Sequence, residues 1–551
     1  MLDILNDLKK DAWVEIDKTK IVESIPFIKS WETIRKIFNE RKNRYKLKES
    51  FKDIWELPVM NRVVDEIIRH KDKKIIIVWD YDVDWTTGSY VLEFMMKRLW
   101  FDVEVLIPER TYWYWLNNHY VNEANEMWAK LIITVDNWTN SVEANNFANE
   151  LWISVVITDH HNVDKIHIES DFVLNYNLYV DDDYAVWSYV AFRVWKALSE
   201  KMWSPIDKKI ENDLLPLCAI ATIADVWLLH WENRFIVENY LPMLAKVENG
   251  LFSMLALEFW WDWYFPNVWF WIAPVINAMW RYSRAREFYS MLALTDEDEI
   301  SKAIEVLDWV NVKRRWYVQE LTDSMSTQIL ENDKINIVVF WEDTLPWMLW
   351  LVASKLVNLN WRPSIALKDL WNWEFWWSAR TWWFKLIEAS EKIWEWLDIF
   401  FAWHQQACWV KMKKEDIEEF KKRFNSEFVE LTDFDEIEVD TLLNTPNDIL
   451  DSEITFIENA LWWHKFEWPS FWTLWLRISN IKELWKTWEH FKIFFKDSFW
   501  EEHVWIAFSS RSYVEKLRIW DTVDVTYSLE FNEWMWKTTR QMNISYIKKI
   551  K

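Results

Sequence analysis

The sequence predicts an α/β protein: a parallel-sheet unit first, a second α/β unit beyond a long helix, and a small antiparallel barrel near the C-terminal end. Three observations carry that expectation. Short continuous apolar runs at Ile75–Val78, Val103–Ile107, Leu131–Val135 and Val155–Ile157 alternate with helix-favouring stretches, the pattern of buried parallel strands. A charged, helix-favouring stretch from Ser301 to Glu331 precedes a second such unit, which starts at Ile335–Phe340 and runs to about Phe424. Near the end of the chain the period changes to two, in Phe491-Lys492-Ile493-Phe494-Phe495 and again in Val523-Asp524-Val525-Thr526-Tyr527.

Taken in order, residues 1–60 read as a helical segment of mixed charge, with Trp31 to Arg44 its clearest stretch. Residues 61–300 hold the parallel-sheet unit, 301–334 the connecting helix, and 335–430 the second α/β unit. An acidic stretch over 431–460 reads as a linker between domains, and 461–551 as the barrel. No internal repeat or low-complexity tract interrupts this order.

The chain has 551 residues, enough for about three or four domains, and a formal net charge of −24. That charge excludes a generally basic nucleic-acid coat but not a local basic groove or an acidic, cation-holding site. Two cysteines, Cys218 and Cys408, give no disulfide framework and no paired-thiol metal motif, which fits a reducing, cytoplasmic setting. Neither a signal-peptide pattern nor a membrane-spanning run is found.

Composition carries one anomaly: 50 Trp against 2 Gly. Glycine ordinarily makes up about 7% of a chain. The tryptophans also stand where glycines belong. Trp138 follows Asp136-Asn137 at the end of a strand-like run, and Trp376-Trp377 and Trp382-Trp383 flank Ser378-Ala379-Arg380 as loop glycines would. The expectation is a gene that uses UGA for glycine, read with a table in which UGA means Trp. The codons for Trp79, Trp85 and Trp403 test it; Trp13 and Trp534 are the candidates for genuine tryptophan.

The chemistry-bearing residues gather at strand ends, where open α/β sheets place ligands. Asp80-Tyr81-Asp82-Val83-Asp84 follows Ile75–Val78, Asp136 follows Leu131–Val135, and Asp159-His160-His161 follows Val155–Thr158. Asp225 stands in Thr222-Ile223-Ala224-Asp225-Val226. A lone acidic turn is commonly just solvated, but convergent carboxylates with an imidazole suit hard divalent cations.

With Trp read as Gly, Trp79–Trp85 becomes Gly-Asp-Tyr-Asp-Val-Asp-Gly, and with Asp159-His160-His161 it resembles the DHH phosphoesterase superfamily. Further motifs narrow the resemblance to the RecJ family of single-strand-specific exonucleases. They are Ala224-Asp225-Val226 with Trp231-Glu232-Asn233-Arg234, Ala273-Pro274-Val275-Ile276-Asn277-Ala278-Met279-Trp280-Arg281, Trp377-Ser378-Ala379-Arg380, and Ala402-Trp403-His404-Gln405-Gln406-Ala407-Cys408-Trp409. The resemblance covers about residue 60 to the end. It implies a DHH parallel-sheet domain and a DHHA1 α/β domain joined by a long helix, with a C-terminal OB-fold β-barrel.

For the site, the resemblance implies two Mn²⁺ or Mg²⁺ ions. Asp136 would bridge them, Asp82 with Asp80 would hold one, and Asp84, His160 and Asp225 the other. His161 would contact the scissile phosphate or protonate the leaving group. Arg110, Asn277, Arg281, Ser378, Arg380 and His404 would bind substrate, and Tyr114 would stack on a base or line the channel. Lys482, Lys486 and Lys492 are candidates for gripping DNA on the barrel. Three positions depart from the pattern: Val275 replaces an Arg, and Ala402 and Cys408 replace a Gly and an Ala. The segment Leu461–Pro469 only loosely echoes a glycine-rich family motif.

The implied activity is 5′→3′ exonucleolytic hydrolysis of single-stranded DNA to 5′-mononucleotides in recombination and repair. The implied protein is monomeric, needs no membrane, and has a single-strand-binding protein and a helicase as accessory partners. The alternative within the superfamily is a DHH–DHHA1 phosphodiesterase acting on short oligoribonucleotides or cyclic dinucleotides. The alternative outside catalysis is a DNA-binding adaptor that has lost its metals.

Overall fold

The computed structural model describes residues 21–23, 33–44, 58–79, 83–107, 116–135, 139, 141–159, 168, 170–175, 178, 186–204, 206–229, 231–259, 268–282, 285–325, 328–329, 333–340, 344–360, 362–369, 374–381, 386, 397, 399–404, 407–431, 437–459, 468–484, 490–507, 514, 516–534 and 537–550. They fall into two compact units: Arg41–Arg315 with Leu461–Glu467, and the rest of the chain. No described helix is long and apolar enough to cross a membrane.

The described chain opens with strand β1 (Ile21–Glu23) and helix α1 (Thr33–Arg44). There follow α2 (Pro58–Arg69), β2 (Lys74–Trp79), α3 (Val83–Arg98), β3 (Asp102–Leu106), α4 (Asn118–Glu126), β4 (Leu131–Val135), α5 (Val142–Glu150), β5 (Ser154–Asp159) and β6 (Val173–Asn175). The five strands pair in parallel in the order β3-β2-β4-β5-β6. Strand residues alternate between two apolar layers. Ile75, Ile77, Ile133 and Val135 belong to one core cluster, and Ile76, Val78, Ile132 and Ile157 to the other. Burial on both faces explains why these strands read as unbroken apolar runs.

Helices α6 (Trp187–Lys201), α7 (Lys208–Ala224), α8 (Trp231–Tyr240), α9 (Gly250–Phe259), α10 (Ala273–Tyr282) and α11 (Ala285–Met291) complete the first unit. Helix α12 (Glu297–Met325) is 29 residues long and carries the chain onward. Ile300, Ala303, Ile304, Leu307 and Val310, at helical spacing, put its first half into the first unit's core.

The second unit contains β7 (Asn336–Phe340), α13 (Leu349–Asn360), β8 (Ser364–Asp369), β9 (Glu374–Arg380), β10 (Ile399–His404), β11 (Ala407–Lys413) and α14 (Asp416–Leu431). Its sheet runs β10-β11-β9-β8-β7, parallel only between β7 and β8. Next come β12 (Ile437–Val439), β13 (Thr441–Leu443), α15 (Asp451–Asn459), β14 (Phe471–Leu484), β15 (His490–Lys496), β16 (Glu502–Ala507), β17 (Thr522–Trp534) and β18 (Lys537–Lys549). β14-β15-β16-β18-β17 form a sheet closed by pairing of β17 with β14, a five-stranded barrel of OB type.

The acidic stretch expected to be a linker is structured in part. β12 pairs with β1, and β13 extends the barrel sheet alongside β14. Thr445 and the β15–β16 hairpin share a buried network, in which the Thr445 hydroxyl donates to Asp497 at 2.7 Å and Asp497 meets His503 Nε2 at 2.8 Å.

Tryptophan takes glycine's conformation at four helix ends. Helices α3, α4, α5 and α6 each end in a residue at positive φ: Trp100 (66°), Trp128 (65°), Trp152 (59°) and Trp203 (56°). In each case the next amide reaches back to close the turn, as in Phe101 N to Met96 O at 3.0 Å and Ser204 N to Ser199 O at 2.9 Å. This is the Schellman cap, whose left-handed residue is usually glycine. The four indoles are between 82% and 92% exposed, so they pack on almost nothing. Val226 closes α7 in the same way at φ 55°.

Candidate metal centre and phosphate-binding residues

The sheet order fixes where ligands can gather. The chain goes from β2 outward to β3 and then returns to β4 on the other side of β2. The crevice at such a switch point, beyond the strands' carboxyl ends, is where open α/β sheets bind ligands. Register sharpens this: Trp79 pairs with Val135, and Val135 with Thr158. The chain therefore leaves β2, β4 and β5 from one row, and the residues that follow in sequence are Asp80, Asp136 and Asp159-His160. Asp80, Asp82, Asp136, His160, His161, Arg110 and Tyr114 themselves lie outside the described residues.

Asp84 is described, and the structure shows it capping a helix. It is fully buried in the first turn of α3. Its two carboxylate oxygens accept the backbone N–H groups of Trp187 and Ser188, both at 2.8 Å. These amides open helix α6, where unsatisfied N–H groups and the helix dipole favour an anion. Asp84 thus caps one helix from the start of another. Gly88, one turn further on, allows the close approach: a Cβ there would stand 2.6 Å from the Trp187 ring. The Trp187 indole N–H in turn donates to the Thr158 carbonyl at 2.8 Å, tying α6 to the end of β5.

Asp225 follows the last residue of α7, half-buried, and accepts a hydrogen bond from the Trp227 indole. Asp159 is buried at the end of β5 and accepts both the backbone N–H (2.7 Å) and the hydroxyl (3.0 Å) of Thr139. Asn175, at the end of β6, donates to the same hydroxyl at 2.8 Å. Sequence reasoning passed over Thr139 and Asn175. The register pairs Asp159 with Asn175, and hydrogen bonds bring Thr139 to both.

The donor set fits hard divalent cations. It is carboxylate-rich with imidazole. Both cysteines are buried, and burial pushes the Cys408 thiol up to about 12 and raises that of Cys218.

Of the expected substrate-binding residues, Asn277 and Arg281 are described in the first unit and Ser378, Arg380 and His404 in the second. On α10, Asn277 accepts from the Trp280 indole at 2.7 Å, and the Arg281 guanidinium, in a largely buried side chain, stacks over the Trp280 ring at 4.4 Å. Val275, where the resembled pattern has Arg, is 1% exposed and part of the core. In the second unit Arg380 on β9 pairs with Ala407 on β11, which pairs with His404 on β10. The two motif residues therefore share one row across three strands, with Ser378 two positions back on the Arg380 face. Burial lowers Arg380 to about 10, so it stays charged near neutral pH, and its guanidinium lies over the Trp350 ring at 5.4 Å.

On the barrel, Lys482 and Lys492 stand directly opposite on β14 and β15. Both ammonium groups lie near the Phe494 ring, at 5.2 and 6.0 Å from its centre. Lys486 lies outside the described residues.

Comparison with known proteins agrees with this geometry. Residues 74–222 match the DHH family, N-terminal domain. Residues 448–546 match the RecJ OB domain. The chain is similar to the single-stranded-DNA-specific exonuclease RecJ of Bacillus subtilis, 28% identical over 406 residues, which cover 68% of this chain and 48% of that protein. The chain thus spans about half the length of that relative. It is similar to the protein of the same name from Dickeya dadantii, 23% identical over 85% of this chain and 87% of the relative. The crystal structure of RecJ from Thermus thermophilus in complex with Mn²⁺ has the same fold, with a TM-score of 0.75 at 20% identity over 97% of this chain and 79% of that one.

Proposed function

We propose that the chain is a divalent-metal-dependent exonuclease that degrades single-stranded DNA 5′→3′ to mononucleotides in recombination and repair. One observation carries the reading: strands β2, β4 and β5 of an all-parallel sheet end in one row at its switch point, and Asp80, Asp136 and His160 are the residues that come next in sequence, in a chain that also carries a closed OB-type barrel. Asp80, Asp82, Asp136, His160 and Asp225 are the residues we assign to two Mn²⁺ or Mg²⁺ ions. Asp84 belongs to the same set, its two oxygens also accepting backbone amides. Two such ions supply an activated water and neutralise charge on the phosphoryl group. Arg110 and Arg281 in the first unit and Ser378 and Arg380 in the second are the residues we assign to phosphate, and Asn277, Tyr114 and His404 those we assign to the nucleotide. His161 protonates the leaving oxygen. The protein acts as a cytoplasmic monomer beside a helicase and a single-strand-binding protein.

The test compares a long 5′-phosphorylated strand with a dinucleotide, with and without Mn²⁺. Preference for the long strand supports the reading; preference for the dinucleotide favours a small-substrate phosphodiesterase. Asp136→Ala should abolish cleavage while the circular-dichroism spectrum is unchanged. Retention of more than about a tenth of the rate, a barrier change below ~1.4 kcal/mol, overturns the metal assignment.

We also propose that glycine stands at most of the tryptophan positions in the working protein. Two observations support this: the exposed left-handed Trp caps, and Trp195, Trp472 and Trp505, whose buried indole N–H groups have no hydrogen-bond partner although buried indoles normally find one. Peptide mass spectrometry of the protein from its native source decides it. Tryptophan at Trp79, Trp85 and Trp403 refutes it.

A further inference from the structure

Thr139 is held by more bonds than a turn residue needs. It is fully buried, and its bonds reach three separate parts of the sheet edge. Its N–H and its hydroxyl both donate to Asp159 Oδ2, at 2.7 and 3.0 Å. The same hydroxyl accepts from Asn175 Nδ2 at 2.8 Å, and its carbonyl accepts from Ile168 N at 2.8 Å. Asp159 and Asn175 are themselves register partners at the ends of β5 and β6, both buried. The hydroxyl thus uses its one proton on the carboxylate and a lone pair on the amide, which leaves it a single rotamer.

What this clamp holds is the stretch of chain that leaves β4. Val135 is fixed by pairing with Trp79 on one side and Thr158 on the other. Thr139 is fixed by the clamp. In sequence, only residues 136–138 separate these two anchored points. Asp136 is the first of them. The anchoring carboxylate, Asp159, immediately precedes His160, so the same contact couples the two stretches assigned above to the ions.

We propose that Thr139 is a positioning residue: its bonds to Asp159, backed by Asn175, set the path of the chain that carries Asp136 and thereby the register of the metal ligands. This rests on the metal-dependent nuclease reading above and deepens it. Metal ligands work when orienting bonds behind them fix their direction, and loss of such a bond typically costs about 10–100-fold in metal affinity.

The experiment measures Mn²⁺ binding to the full-length chain by calorimetry, alongside thermal unfolding and the Mn²⁺ dependence of cleavage. Thr139→Val keeps the shape and removes only the hydroxyl. The expected result is a Kd for Mn²⁺ raised about tenfold or more, a cleavage rate at saturating Mn²⁺ within about threefold of the parent, and return to within about twofold in Thr139→Ser. A purely structural residue would lower the unfolding temperature and leave Mn²⁺ binding alone; that outcome overturns the proposal. If the Val variant does not fold, Asn175→Ser decides, with a smaller shift of the same sign expected and none counting against. A parent chain that binds no Mn²⁺ refutes the metal reading itself, whereas a parent that binds and a Val variant that binds equally well refutes only the role of Thr139.

Discussion

The parallel sheet of the first unit and the C-terminal barrel put their polar chemistry in different places. β2, β4 and β5 are apolar on both faces, and the residues we assign to the ions follow their ends in sequence. The barrel's strands bury one face, with Phe471, Phe495, Trp505 and Tyr527 packed ring against ring, and its cations lie along the strands themselves. A site made of turns depends on backbone conformation; a site on a strand face depends on side chains in an alternating row. Substitutions that alter turns should therefore act on the first unit's chemistry. Those that alter charge should act on the barrel's grip.

The largest expected effect that sharpens this contrast concerns the caps. Replacing Trp100, Trp128, Trp152 and Trp203 together by Gly should raise the first unit's stability. Each forced left-handed Trp costs on the order of 1–3 kcal/mol, and each indole is exposed, so little packing is lost. The unfolding midpoint in urea should climb by the equivalent of several kcal/mol. An unchanged or lower midpoint would show that the caps are unstrained with Trp in place, and would remove the conformational support for reading glycine there.

Much of this was legible in the sequence, for stated reasons. Continuous apolar runs located β2, β4 and β5 because burial on both faces leaves no alternation to confuse with a helix. The helix over 301–331 was visible from its charge and spacing, and the structure places it at Glu297–Met325. The excess of Trp over Gly was visible from composition. That Asp84 caps α6 was not legible, because a motif carboxylate looks the same in sequence whatever it faces, and only the packing of α3 against α6 shows it. β13 was missed because Thr441-Leu442-Leu443 is too short and sits in an acidic stretch. Val226 at positive φ has no sequence signal, since a β-branched residue is the last choice for that conformation.

The next effect concerns carboxylates buried in each region. Asp84 receives two backbone amides and Asp159 an amide and a hydroxyl, while Asp524 on β17 receives the Trp475 amide at 2.9 Å and lies near Lys548. Burial dominates there and raises Asp524 to about 6. A carboxyl with its folded pKa above the unfolded value binds its proton more tightly when folded. Its stabilising contribution is therefore complete below about pH 4 and is lost as pH rises through about 6. The loss should reach about 2–3 kcal/mol across that window. Asp524→Asn removes this pH dependence, so the stability difference between parent and variant should change by about 2–3 kcal/mol between pH 4 and 6.5. A difference that stays constant over that range would show that burial does not raise this carboxyl.

The smallest expected effect tests the barrel as a grip on DNA. Lys482 and Lys492 lie directly opposite, where like charges repel, and both sit near Phe494. A strand threading past would place a phosphate between the ammonium groups and a base near the ring, relieving the repulsion and adding stacking. Changing both lysines to Ala should weaken binding of a 30-mer about tenfold and make the salt dependence shallower by about one to two phosphate contacts. Cleavage of very short oligonucleotides should be untouched, because the residues assigned to the ions belong to the first unit. Equal loss on short and long substrates would mean that the pair supports the fold rather than the strand. An unaltered salt slope with weaker binding would move the contact from phosphate to base, leaving Phe494 as the residue to change next.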